Sequence, residues 1–328
     1  MPVSSAALKR VAAIPNVNVA VDAPLSCRTR FGIGGPAALF CETPQTDAFS
    51  ELLRTIRELA LPCSIIGGGT NLVVSDEGFD GAVLRYTGSR IARDGTLLRI
   101  DAGAVLQDVV DSSIAQGLKG FETMTGIPGY MGGAIYGNAG AYGRSIQELV
   151  QRVHVTDGET VSTLVNQECR FRYRDSVFKD RKDWVILSAD LQFSEADPRE
   201  LAKIAADIRA IRDVKYPPAM KCAGSIFKNL LFADLPDSVQ GDIPKNVVRE
   251  GKVPAAWFLE QIGAKGMRRG DIQVASYHAN LIYNDGEGSA RDLVAVIEQL
   301  KQRVLHRFGF HLEEEVQYVG FDYATAPA

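Results

Sequence analysis

Apolar side chains recur at helical spacing from Thr46 to Leu59, and again from Ala290 to Arg307, where Gly309 supplies a stop. Shorter stretches of the same kind predict helices over Val105 to Gln116, ended by Gly117, and over Pro254 to Gln261. Asp197-Pro198 opens a further helix that runs to Arg212 and is halted at Pro217-Pro218. Between the helices lie strand-like segments: Pro62 to Ile66, Val153 to Val155 paired with Val161, and a last one from Leu312 to Val319. Asp94-Gly95 and Asp157-Gly158 are dipeptides that accept positive φ and predict tight hairpins.

Helical and strand patterns therefore alternate, which predicts an α+β or α/β protein. The first thirty residues are small, apolar and weakly periodic, and read as an N-terminal arm over 1–28. A first domain is expected over 29–195 and a second over 196–328, where the helix after Asp197 changes the pattern. Of the 328 residues, 46% are apolar and 23% charged, enough for two cores and too apolar for disorder. No apolar run approaches the roughly 20 residues of a membrane helix, and no signal-type segment follows Lys9-Arg10, so a cytoplasmic protein is expected. A net charge of -4 without a basic tract argues against a nucleic-acid partner. Five cysteines, odd in number and never spaced C-x-x-C, signal neither a disulfide framework nor zinc. His306 and His311 face different directions across a helix end, so no metal is expected.

Glycine is where the chemistry gathers. The 31 glycines concentrate in Phe31 to Ala37, in Gly67-Gly68-Gly69-Thr70-Asn71-Leu72, and in the long run Gly126 to Gly143. The second cluster follows a predicted strand, where bare backbone N–H groups, the Thr70 hydroxyl and the Asn71 amide could cradle a diphosphate. It is not a G-x-G-x-x-G fingerprint, which disfavours a nicotinamide Rossmann domain. The third cluster is nearly uncharged and suits a flat isoalloxazine; each cluster alone is also an ordinary set of tight turns. Tyr130, Tyr136 and Tyr142 could stack on such a ring or fill a glycine-rich core.

Read in order, Thr29 to Pro36, the Gly67 to Leu72 loop continuing Val73-Val74-Ser75-Asp76, the Gly126 to Gly143 run, Tyr173 to Lys179, Ala223 to Asn229, and Leu312 to Val316 resemble the UDP-N-acetylenolpyruvoylglucosamine reductase family, also called UDP-N-acetylmuramate dehydrogenase. The resemblance runs from residue 24 to 320. It implies a FAD-binding domain of the vanillyl-alcohol-oxidase (PCMH) type in two subdomains, a C-terminal α+β substrate domain, non-covalent FAD, NADPH as co-substrate, and reduction of UDP-N-acetylglucosamine enolpyruvate in peptidoglycan precursor synthesis. It also implies catalytic roles for Arg174, Ser225 and Glu315. FAD contacts are expected from Gly67, Gly68, Gly69, Thr70, Asn71, Leu72, Thr125, Gly126, Pro128, Gly129, Gly132, Gly133, Ala134, Asn138 and Gly140. Substrate contacts are expected from Tyr173, Lys221, Lys228, Asn229 and Arg268.

The chemistry explains why these residue types are needed. An electron-rich enol ether accepts hydride only if its carboxylate is neutralised, which suits the planar fork of Arg174. Glu315 would help stabilise the enolate, and Ser225 would then protonate the α-carbon. A hydroxyl needs neighbours that stabilise its alkoxide or return a proton, and Lys221 and Lys228 flank Ser225 in sequence. Read singly, Arg174 is a member of a charge run, Ser225 a turn residue and Glu315 an edge charge. Some relatives carry an inserted tyrosine loop between the motif arginine and serine; the short interval here implies the branch without it, and 230–253, with Leu230 where proline is commoner, is the candidate lid. A FAD-dependent oxidase of a small alcohol or sugar, and a nucleotide-sugar-binding protein without catalysis, remain the alternatives.

Overall fold

The structure is a computed structural model that describes residues 3–321; residues 1, 2 and 322–328, assigned by sequence to the arm and the second domain, lie outside the described residues. The chain forms two compact units built from non-consecutive segments. One holds the chain up to Ala23, then 37–69 and 79–214; the other holds Pro24–Pro36, Thr70–Gly78 and the chain from Lys215.

In the first unit a four-stranded sheet runs in the order Asn18–Pro24, Pro36–Thr43, Phe79–Tyr86, Cys63–Ile65, with the last three mutually parallel. The helix Thr46–Glu58 buries Ala48, Phe49, Leu52, Leu53 and Ile56, the spacing of one helical face, and Phe49 meets Tyr86 edge-on at 5.6 Å. A five-stranded antiparallel sheet follows, in the order Val161–Val165, Val150–Thr156, Val185–Gln192, Leu97–Asp101, Ile91–Asp94. Both expected hairpins form, with Gly95 at φ +60° and Gly158 at φ +89°. Backbone N–H groups of Thr160 and Glu159 donate to Asp157 and hold its carboxyl below the usual range.

The unit boundaries differ from those read in the sequence. Of the arm expected over 1–28, the described residues 3–28 are not an arm: the helix Ser5–Ala12 places Val11 in the first core, and Asn18–Pro24 is a sheet strand. The second unit does not begin at 196. The helix Pro198–Lys215 buries Leu201 and Ala205 in the first core, and Ser194–Glu195 pairs with Leu118–Lys119. Two excursions, 24–36 and 70–78, leave the first unit because Phe31, Ile33 and Val73 are core residues of the second.

The second unit has a four-stranded antiparallel sheet in the order Lys221–Ser225, Leu281–Asn284, Ile272–Val274, Arg268–Arg269. The helix Ala290–Phe308 packs Leu293, Val296, Ile297, Leu300 and Val304 into its core, and Gly309 caps it at φ +78°. Phe258, Phe308 and Phe310 interlock at 5.0 to 6.1 Å between centroids. Asp76 accepts hydrogen bonds from the N–H groups of Ala290 and Arg291 at 2.8 and 2.9 Å, at the end of this helix where its dipole favours a carboxylate. Of the expected strand Leu312 to Val319 only Gln317–Val319 is regular, paired in parallel with Leu72–Val74.

A polar ladder crosses the five-stranded sheet. Asp190, 2% exposed, accepts a fork from Arg99 at 2.6 and 2.8 Å and a bond from His154 at 3.3 Å, and Thr163 meets the other ring nitrogen of His154. The Arg99 bonds hold the Asp190 carboxyl below the usual carboxylate range. A depressed folded-state pKa stabilises the protein above the unfolded value of about 3.9, and that contribution is lost as pH falls through the folded value. Asp190→Asn should therefore cost about 1–3 kcal/mol at pH 7, discounted for the half-exposed Arg99. Thermal unfolding of both proteins should show the difference shrinking below pH ~4; a difference that is constant with pH would remove this role.

Candidate active site

In the first unit, the backbone around Gly67 and Gly68 is pressed against the turn Gly129-Tyr130. A Cβ on Gly68 would lie 3.2 Å from the Gly129 Cα, and the Tyr130 ring covers both glycines. Tyr130 thus fills a glycine surface, as its core reading allowed. Gly126 has φ +78° and donates to Gln107 at 2.7 Å, while Leu106 donates to the Gly129 carbonyl. Met131 and Gly132 donate to Ala104 and Ala102, and a Cβ at Gly132 would meet the Ala102 Cβ at 3.0 Å. Gly140, where a Cβ would lie 2.6 Å from the Arg144 carbonyl, closes a two-residue pairing. Gly140 is therefore required by close backbone packing, and Gly132 sits tightly against Ala102, both without reference to any ligand.

Two features of this loop point outward from the protein's own packing. Thr125 is buried, yet its Oγ finds no hydrogen-bond partner among the described residues. The Cβ direction of Gly133 opens on space, with nothing within 4 Å. A stretch of bare backbone with an orphaned hydroxyl, and with Arg209 and Arg212 beside Gly126, fits the expected flavin, a flat ring system with polar edges.

Arg174 sits at the tip of a tight turn closed by Arg172 and Asp175, which exchange backbone hydrogen bonds of 3.0 and 3.2 Å. Its φ of +54° is unfavourable for a side chain with a Cβ, by about 1–2 kcal/mol. Neighbours hold the turn there. The Asn138 amide donates to the Arg172 carbonyl at 2.7 Å and to Gln147 at 3.1 Å, and its oxygen accepts from the Gln147 N–H. The Ser176 hydroxyl donates to the Tyr136 carbonyl at 2.7 Å, and Lys179 donates to the Arg174 carbonyl. The guanidinium of Arg174 lies 5.5 Å from the ring centre of Tyr173. Asn138 was expected to hold FAD; in the structure both N–H bonds of its side-chain amide brace the arginine turn.

In the second unit, Ser225 ends the strand Lys221–Ser225 after a bulge made by Gly224 at φ +78°. Glu315 comes beside it because its N–H donates to the Ile226 carbonyl at 2.7 Å and Glu314 bridges to Phe227. Asn280, 2% exposed, clamps Phe227 through bonds of 2.9 and 2.8 Å. The Asn71 amide donates to the Glu315 carbonyl at 2.9 Å. Asn71 was expected to contact a cofactor; here it positions the glutamate, and Leu72 is a strand residue paired with Gln317. Ser225 and Glu315 are thus brought together, while Arg174 belongs to the other unit.

The two lysines expected beside Ser225 are directed elsewhere. Lys221 donates to the Gly286 carbonyl at 3.2 Å, and Lys228 forms an ion pair with Glu313. Arg268, expected at the substrate, is engaged on the surface by Gly270, Asp271 and Asp285, and Arg269 by Asp292. Asn229 accepts from the Ala255 N–H at 3.3 Å. The Ser225 hydroxyl instead meets the phenol of Tyr216 at 3.2 Å. Sequence reasoning passed over Tyr216, whose only signal was its place just before the Pro217-Pro218 stop. The candidate lid 230–253 is pinned by pairing of Leu230–Leu231 with Lys252–Val253 and anchored by buried Leu235, Val239 and Ile243.

Two family models match the chain: a FAD binding domain over residues 37–163, and the C-terminal domain of UDP-N-acetylenolpyruvoylglucosamine reductase over residues 216–319. A UDP-N-acetylenolpyruvoylglucosamine reductase from Solibacter usitatus (strain Ellin6076) is 56% identical over 311 residues, 95% of this chain and 100% of that relative. Another, from Caldanaerobacter subterraneus subsp. tengcongensis, is 32% identical over 302 residues, 92% of this chain and 93% of that one. The crystal structure of UDP-N-acetylenolpyruvylglucosamine reductase (MurB) from Thermus caldophilus is similar at a TM-score of 0.71 and 27% identity, covering 92% of this chain and 98% of the other. The expected α+β architecture, with a FAD-binding domain and a C-terminal substrate domain, agrees with these matches.

Asn138→Ala should separate bracing from cofactor contact. It leaves the Arg172 carbonyl without its donor, so stability should fall by about 1–3 kcal/mol. Turnover should fall about 10- to 100-fold through misplacement of the arginine, with the amount of FAD retained on purification unchanged. Loss of FAD at unaltered stability would restore the original reading.

Proposed function

Because the chain belongs to the UDP-N-acetylenolpyruvoylglucosamine reductase family, we propose that it reduces the enolpyruvyl ether of UDP-N-acetylglucosamine enolpyruvate to UDP-N-acetylmuramate, with NADPH as reductant, in the cytoplasm. No helix among the described residues is long and apolar enough to cross a membrane. The observation that carries the reading is the juxtaposition of Ser225 and Glu315 on extended segments joined between Ile226 and Glu315. A proton donor and a carboxylate are there fixed to the same backbone frame, as reduction of an enol ether needs.

FAD, when bound against the glycine loops, supplies two-electron hydride chemistry between the nicotinamide and the substrate. Thr125 would satisfy its hydroxyl on the ring, and the bare backbone around Gly133 would admit the ring's close approach. Arg174 would grip the substrate carboxylate through two parallel hydrogen bonds while remaining charged. That grip lets negative charge spread from the α-carbon onto the carboxylate, the distribution an enolate requires. Glu315 would orient the same end of the substrate, and Ser225 would deliver its proton to the α-carbon from a fixed side. The braced turn under Arg174 supports this role, since a bidentate fork depends on direction as much as on charge.

The purified protein should be yellow, bleach with NADPH and recolour when UDP-N-acetylglucosamine enolpyruvate is added. A colourless protein that neither takes up FAD nor oxidises NADPH would sink the proposal. Ser225→Ala should bleach with NADPH at the normal rate but recolour ~10²- to 10⁴-fold more slowly. Arg174→Lys keeps the charge and loses the fork, and should cost roughly 100-fold in kcat; equal loss in both half-reactions would deny either residue its assigned step.

A further inference from the structure

Ser225 cannot act alone. Once an aliphatic hydroxyl has given its proton to carbon it is an alkoxide, a strong base that the protein must neutralise before the next turnover. The flanking lysines do not serve, since Lys221 is bonded to the Gly286 carbonyl and Lys228 to Glu313. The side chain that does reach the Ser225 oxygen is a phenol, Tyr216, at 3.2 Å.

We propose that Tyr216 is the positioning residue of Ser225, holding its hydroxyl in the donating geometry and returning a proton to its oxygen after each transfer. The inference rests on the reductase reading above and deepens it. The second unit holds this phenol at several points. The Tyr277 hydroxyl donates to the Lys215 carbonyl at 3.1 Å, and Met220 donates to the Pro217 carbonyl at 2.9 Å, so the chain on both sides of Tyr216 is tied down. The ring meets His278 edge-on, with centroids 6.3 Å apart. Burial, then Lys215 and Lys265, push the His278 imidazole down to about 4, so at neutral pH its face toward the tyrosine is uncharged. The Lys215 ammonium lies 5.1 Å from the Tyr216 ring centre, a positive charge beside the group through which negative charge passes. The turn that carries Tyr277 and His278 continues into Leu281, the partner of Ser225 across the sheet. Serine, tyrosine and their supports are thus one local assembly.

The proton ledger closes. The Ser225 O–H bond breaks as a C–H bond forms at the α-carbon. The alkoxide then takes the Tyr216 proton, and the resulting phenolate, on a half-exposed side chain, takes one from water. No oxidation state changes in these steps; the first two transfers run from the stronger acid, since phenols ionise far more readily than aliphatic alcohols, and the phenolate is refilled by solvent because neutral pH lies below the ordinary phenol pKa of about 10.

Tyr216→Phe removes one oxygen and keeps the ring that packs on His278. In stopped-flow measurements on the FAD-loaded protein, NADPH-driven bleaching should stay within about twofold of normal, because it involves no Ser225 proton. Recolouring of the reduced protein by UDP-N-acetylglucosamine enolpyruvate should slow by ~10- to 100-fold, with KM for that substrate little changed. On a Ser225→Ala background the same change should cost nothing further, since the two hydroxyls act as a unit. Normal recolouring in Tyr216→Phe, or an equal additional loss in the double variant, would overturn the inference. If the unaltered protein fails to recolour, the reductase reading falls, and this one with it.

Discussion

Between Glu315 and Ile226 a backbone hydrogen bond of 2.7 Å joins the end of the chain to the strand that carries Ser225. A bond of this kind contributes only about 0.5–1.5 kcal/mol net, so it cannot hold two segments in register unaided. The surroundings fix it. Lys228 donates to the Glu313 carbonyl on one side, and the Asn71 amide takes the Glu315 carbonyl on the other. Glu314, one residue earlier, is tied to Lys301, whose side chain is 3% exposed, at 3.2 Å. Such a buried ion pair is poor as a source of stability, but breaking one partner is costly, which makes it a strong determinant of position. Glu314 is thereby fixed on Lys301, and the backbone of Glu315 is held from both sides.

The first unit solves a related problem with strain. Arg174 occupies left-handed backbone space that glycine would take without cost. The compensation comes from the glycine-rich run itself. Asn138 and Tyr136, both inside that run, supply the amide and the carbonyl that hold Arg172 and Ser176. A segment that read as a ligand wall is therefore also the mould for the arginine turn. Its glycines divide accordingly: Gly132 and Gly140 permit the chain to approach itself, whereas Gly133 leaves room for something else.

Around Ser225 the polar groups are sorted by reach. The lysines nearest in sequence extend away to carbonyl and carboxylate partners, while Tyr216, nine residues earlier by number, returns through the proline turn to the serine oxygen. Neutral donors suit this position. A phenol there can hand its proton to the serine oxygen and be refilled from water.

Much was legible in the residue order. The helices at 46–58 and 290–308, the two Asp-Gly hairpins and the three glycine clusters all follow from local periodicity and local φ preference, which tertiary context did not override. The family, and with it Arg174, Ser225 and Glu315 as candidates, came from spaced blocks matching in order. Domain boundaries did not come through, because Phe31, Ile33 and Val73 are apolar residues like any others until a core claims them, and the helix from Pro198 carries no mark of which core its Leu201 enters. The partners of polar side chains were equally hidden. Asn71 and Asn138 look like ligand donors in sequence, and only the folded chain brings Glu315 and Arg172 to their amides. Patterning along the chain records which atoms are apolar and which φ values are tolerated; which donor meets which acceptor depends on separations that exist only after the chain has closed on itself.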